Sequence, residues 1–165
     1  MTTLLSKKTD YALLILSHLS ERPAGGSARE IAERFGLSKG FLANILKELC
    51  GKGFVVSHRG VKGGYAMQRP AGQISLAELL DAMEDGLKLT TCMGEAETDE
   101  HDCAVHSLCP IRGTLSEIHR AIFEVLRRVT LADVFRPMNT TFQPVLSLLR
   151  TSPRRPEEAL QEITA

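Results

Sequence analysis

Tryptophan is absent from this chain of 165 residues, Tyr occurs twice and Phe six times. With so few rings, aliphatic side chains have to fill the core. No apolar run approaches the ~18 residues of a membrane-spanning helix. The opening MTTLLSKKTD has no long apolar stretch behind its charges, as a secretion signal would. These absences point to a soluble cytoplasmic protein with no membrane partner, in a compartment that keeps thiols reduced. Catalytic motifs are missing too: there is no phosphate-binding glycine loop, no zinc-protease helix and no paired catalytic carboxylates in a Gly-rich context. A Cys with a His somewhere in the chain is too common a pairing to argue catalysis. The chain is therefore expected not to be an enzyme.

Net charge is also lacking, but the zero is an average. Residues 1–70 carry 11 Lys/Arg against 5 Asp/Glu, a net of +6. Residues 71–110 carry 1 against 9, a net of −8, and residues 111–165 carry 8 against 6, a net of +2. A basic segment beside an acidic one suits a protein that lays one face on a polyanion.

What is present organises the chain as mainly α. Residues 6–20 predict a helix capped by Ser6, buried because Leu13 to Leu16 are apolar nearly all round. Ser27-Ala-Arg-Glu30 forms a capping box that opens a short helix ended by Gly36. Ser38 then caps a third helix, with Phe41, Leu42, Ile45, Leu46 and Leu49 at helical spacing and Gly51 and Gly53 as stops. Helix, tight turn, helix is the helix-turn-helix pattern. Phe54-Val-Val and Tyr65-Ala-Met flank a glycine-rich turn, so a β-hairpin wing follows directly. Ser75 caps a further helix carrying Leu76, Leu79, Leu80 and Met83. After an aperiodic acidic segment, residues 110–129 set Ile111, Leu115, Ile118, Ile122, Val125 and Val129 in a stripe on a helix about 30 Å long. Thr130 starts another short helix. The expected organisation is a winged helix-turn-helix over 1–85, a cysteine-bearing loop over 86–109, a dimerisation helix over 110–136 and a flexible tail over 137–165 with a weak helix near 142–150.

In a helix-turn-helix the second helix enters the major groove with its N-terminal residues at base edges. Here those are Ser38, Lys39, Gly40 and Phe41, with Asn44 and Lys47 further along. Ser38 and Lys39 reach phosphates or bases, Asn44 can pair with adenine, and Gly40 permits close approach. In the wing, Arg59 suits a minor groove and Lys62 a phosphate, on the flexible Gly63-Gly64-Tyr65 turn. The expected partner is double-stranded DNA.

Cys92, Cys103 and Cys109 lie in TTCMGEAETDEHDCAVHSLCP, spaced C-x10-C and C-x5-C. The residues alone leave three uses open. Thiolates suit an iron–sulfur cluster. Cys92 with Cys103-x2-His106-x2-Cys109 would complete a tetrahedral zinc site. Without metal, the thiols could serve a DNA-binding repressor as a reversible redox or electrophile sensor. Cys50, beside Leu49, suits a packed small residue.

The segments LSKKTDYALLIL, SAREIAERFGLSKGFLANILKELCGKGFV, RGVKGGY and C…C…CPIRG, in that order, resemble the Rrf-two family of bacterial winged helix-turn-helix transcriptional regulators over about residues 4–136. The wing motif combined with three cysteines ahead of a long helix carries the resemblance. It implies a homodimer joined through the long helices, each winged helix-turn-helix taking half of a partly palindromic operator. It also implies an iron–sulfur cluster, [4Fe–4S] or [2Fe–2S], on the three cysteines, whose state sets DNA affinity at genes of iron–sulfur assembly, iron supply or nitrosative and oxidative stress. Two departures stand out. The first cysteine gap is longer than usual. The IscR-like branch has a His three residues after the last Cys, where this chain has Arg112. In the NsrR-like branch an Asp from the first helix of the other subunit is the fourth ligand, and Asp10 in Lys8-Thr9-Asp10-Tyr11 matches that position.

Overall fold

Serine caps and glycine stops divide the chain where the sequence puts them. A computed structural model describes residues 5–58, 63–84 and 108–136. The elements run α1 (Lys7–Ser20), α2 (Ala28–Phe35), α3 (Lys39–Gly51), β1 (Val55–His58), β2 (Gly64–Met67), a 3₁₀ turn (Ala71–Gln73), α4 (Leu76–Met83), α5 (Arg112–Arg128) and α6 (Leu131–Val134). The chain is mainly helical with one antiparallel hairpin, in which Val55 faces Met67 and His58 faces Gly64. Among the described residues no helix is long and apolar enough to cross a membrane. The cysteine segment with Cys92, His101, Cys103 and His106, the wing residues Arg59 to Lys62, and the expected tail and helix near 142–150 lie outside the described residues.

Ser6, Ser38 and Ser75 each accept a hydrogen bond at Oγ from the backbone N–H three residues on, at 3.1–3.3 Å. Each such cap contributes about 1 kcal/mol. Ser27 does the same for Glu30, but the expected return half of that box is absent: the Glu30 carboxylate pairs with Arg22 instead. A full capping box forms at Thr130 and Asp133. Gly36 (φ 62°) and Gly53 (φ 78°) sit in the left-handed region that ends α2 and follows α3.

One core gathers Ile15, Leu16 and Leu19 of α1, Ile31 of α2, and Leu42, Ile45, Leu46 and Leu49 of α3. Phe54, Ile74, Leu79, Met83 and Leu131 close it. The first helix is less buried than its composition suggested. Leu14 is 45% exposed, because four consecutive residues at 100° each span the whole circumference and one has to face outward. The striped helix behaves differently again. α5 has no buried residue, and Ile111, Ile118 and Ile122 stand 60%, 45% and 36% exposed. Leu115 and Val125 are half-buried. The stripe becomes fully buried only at Val129, where Leu76 N–H donates to Val129 C=O (2.7 Å) and Leu131 N–H to Ile74 C=O (2.9 Å).

Candidate nucleic-acid interface and thiolate site

The periodicity that buries one side of α3 exposes the other. Leu42, Ile45, Leu46 and Leu49 point inward, leaving Ser38, Lys39, Gly40, Asn44 and Lys47 exposed. Ala43 shares that outer face and was not among the residues expected there; its spacing from Lys39 and Gly40 is the signal that would have found it. A small side chain between Lys39 and Asn44 lets the helix approach a groove closely. Ser38 Oγ is engaged as the cap of α3, accepting from Phe41 N–H at 3.3 Å, which leaves its O–H free to donate outward. Phe41 leans inward: it is half-buried, edge-on to Tyr11 with ring centroids 5.5 Å apart. Lys7 Nζ lies over the Tyr11 ring, 5.9 Å from its centre.

The wing rises from the core at Phe54 and Val55, both buried. Tyr65 is half-buried against the core, although it pairs with Ser57 toward the tip end of the hairpin. Gly63 and Gly64 are half-buried, while His58 is exposed at the far end of β1. By chain connectivity Arg59 and Lys62 lie between His58 and Gly63.

Of the residues assigned to the thiolate site, Asp10 and Cys109 are described. Asp10 is exposed in the first turn of α1. Cys109 is a half-buried free thiol just ahead of α5. Among the described residues no three His, Cys, Asp or Glu side chains gather as a metal group. Thiolates, the donors that the three cysteines would offer, have the chemistry an iron–sulfur cluster takes. Cys50 packs against the core, and burial pushes its thiol up, which makes it a poor thiolate ligand.

The structure adds a polar clasp that no local pattern foretold. Ser6 N–H donates to Glu84 Oε1 at 2.7 Å, across 78 positions of sequence. Burial alone would push the Glu84 carboxyl up. Hydrogen bonds from the Thr9 hydroxyl and from Ser6, with the nearby Lys8 charge, hold it below the ordinary range instead. Lys8 also pairs with Glu48 of α3 at 2.9 Å. His18, 2% exposed, is the other surprise: neither ring nitrogen has a partner among the described residues.

An exposed recognition face on the second helix of a helix-turn-helix, with a hairpin rooted beside it, defines a winged helix-turn-helix DNA-binding protein. The sequence profile of Rrf2, described as an iron-dependent transcriptional regulator, matches residues 5–137. The chain belongs to the Rrf2 family, and its relatives are transcriptional regulators rather than enzymes. Protein aau3 of Rhizobium meliloti is 33% identical over 133 residues, 80% of this chain and 84% of that one. The HTH-type transcriptional regulator NsrR of Oceanobacillus iheyensis is 30% identical over 134 residues, 80% of this chain and 89% of that one. Among solved structures, CymR, the global cysteine regulator of B. subtilis, superposes with a TM-score of 0.60 at 26% identity, covering 82% of this chain and 97% of that one. IscR of T. potens gives 0.57 at 26%, covering 79% and 84%.

Proposed function

We propose that this chain is a homodimeric transcriptional regulator whose operator affinity is set by an iron–sulfur cluster on Cys92, Cys103 and Cys109, with Asp10 of the partner subunit as fourth ligand. The observation that carries this reading is the way α1 is tied to α3. On either side of Asp10, Lys8 pairs with Glu48 and Tyr11 meets Phe41. These contacts lie toward opposite ends of the recognition helix, so a force applied at Asp10 reaches α3 at two points.

Bound, such a cluster would supply redox-active iron centres. The rest is done by the chain's own residues. Glu84, the last described residue before the cysteine segment, is fastened to Ser6 and Thr9 and so holds the end of α4 against the turn that bears Asp10. The exposed isoleucines of α5 supply a face for a second copy, and two copies present two recognition helices to a partly palindromic site. A coupling of about 1–3 kcal/mol between ligand state and helix placement changes operator affinity ~5- to 150-fold.

Anaerobic purification tests the reading. A coloured protein with visible absorption is expected, and alanine at Cys92, Cys103 or Cys109 should abolish the colour. Titrated against an operator duplex, coloured and cluster-free protein should differ in affinity; equal affinities overturn the coupling. A colourless protein that contains zinc, or no metal, replaces the cluster with the zinc or thiol-sensor reading while leaving DNA binding in place.

A further inference from the structure

The wing is a ribbon of two four-residue strands. Such a ribbon is marginal by itself and takes its direction from whatever it packs against. Here a third segment holds it. The loop between α1 and α2 runs antiparallel to β2 at one point, where Gly26 N–H donates to Tyr65 C=O and Tyr65 N–H to Gly26 C=O, both at 2.9 Å. The two backbones meet more closely than side chains would permit. A Cβ on Gly64 would stand 2.7 Å from the Gly26 carbonyl oxygen. A Cβ on Gly25, whose φ is +80°, would stand 2.5 Å from the Tyr65 carbonyl oxygen. Both obstacles are backbone atoms already committed to the pairing, so neither can turn aside. Either side chain would push the strands apart by about half an ångström or more. Gly26 itself differs: a Cβ there meets only the side chains of Leu19, Glu30 and His18, at 3.6–3.7 Å.

We propose that Gly25 and Gly64 are positioning residues for DNA recognition: their close backbone contact clamps the tip-side end of the hairpin, where Gly64 pairs with His58, and so fixes where the tip between His58 and Gly63, with Arg59 and Lys62, meets the duplex. This rests on the DNA-binding reading and extends it to residues that touch no DNA. A shift of Gly64 passes directly to the tip that it bounds, while α3 is held by its own packing in the core.

The test uses a duplex selected by the wild-type protein from a randomised pool. Gly64→Ala and Gly25→Ala should each weaken binding about tenfold. In hydroxyl-radical footprints they should lose the wing-side flank and keep the protection given by α3. Gly26→Ala, which meets only ordinary contacts, and Gly51→Ala, with nothing within 4 Å, should bind like wild type. Arg59→Ala should cost much less in the Gly64→Ala background than in wild type, since both remove the same contact. Full flank protection in Gly64→Ala, or losses that simply add with Arg59→Ala, overturns the proposal while the DNA-binding reading stands. A wild-type protein that selects no duplex overturns both. Should the alanine variants fold poorly, hydrogen exchange in the wild type decides: slow exchange of the Gly26 and Tyr65 amides supports a clamped tip-side end, and fast exchange of both overturns it.

Discussion

The winged half and the long helix are built from similar residues to opposite ends. In α3 the apolar stripe Leu42, Ile45, Leu46 and Leu49 is buried completely by α1, α2 and the hairpin. In α5 an equally regular stripe leaves Ile111, Ile118 and Ile122 in the open. A helix periodicity states that a face wants burial; it does not state whose surface will supply it. The first stripe is answered within the chain, and the second calls for another surface, which is the physical ground for the proposed homodimer.

That contrast can be broken most severely from the second stripe. Ile118→Asp should split the dimer, because by two-fold symmetry the lost burial counts twice, about 3–6 kcal/mol. Sedimentation should show monomers, while the winged half keeps its unfolding transition. Stability lost with no change in association state would mean that Ile118 serves the chain's own core. Leu46→Ala tests the other side: a cavity in a filled core should cost about 2–5 kcal/mol in denaturant unfolding and leave the subunit contact unaltered. On the exposed face of α3, Lys47→Ala should weaken binding similarly across duplex sequences and lower the slope of log K against log salt by about 1. An unchanged slope would remove Lys47 from the phosphate contacts.

The smallest effect concerns acid. Burial first, then the charges of Arg22 and Arg34, hold His18 below the ordinary histidine range. The folded chain thus keeps it neutral where the unfolded chain would take up a proton. Its contribution is complete above the unfolded value of about 6.5 and is lost as pH falls from there toward the folded value. Denaturation across that window should show stability rising with pH in the wild type and a flatter profile in His18→Leu. Glu84, held low instead, acts in a more acidic window, where its contribution is lost as pH falls through the carboxylate range.

Much of the winged half was legible because its signals are local. A serine three residues ahead of the amide it caps, a glycine where φ turns positive and leucines at helical spacing all announce themselves within one or two turns. Features that depend on residues far apart were not legible. Nothing near Gly26 announces Tyr65 as its partner, nothing near Ser6 announces Glu84, and nothing marks His18 as buried without a hydrogen bond among the described residues. Phe41 was expected at the DNA surface, and its inward lean depends on Tyr11, thirty positions earlier. For the candidate interface, spacing gave the outer face of α3 except Ala43, whose lack of a functional group hid it. For the thiolate site, the cysteines and Asp10 were selected by sequence pattern and resemblance, and of them the fold describes Asp10 and Cys109.

The fastening at Val129 gives α5 the mechanics of a lever. Its backbone is bonded to the start of α4 at one end, Val129 to Leu76 and Leu131 to Ile74, while Ile111 and Cys109 stand at the other. Seventeen residues at 1.5 Å make an arm of about 25 Å. A swing of ~5° about that fulcrum moves the far end by roughly 2 Å, using the same helical rise. A displacement of that size is large beside the tolerance of a side-chain contact, so the end carrying Cys109 is where a slight rotation of the arm has its greatest travel.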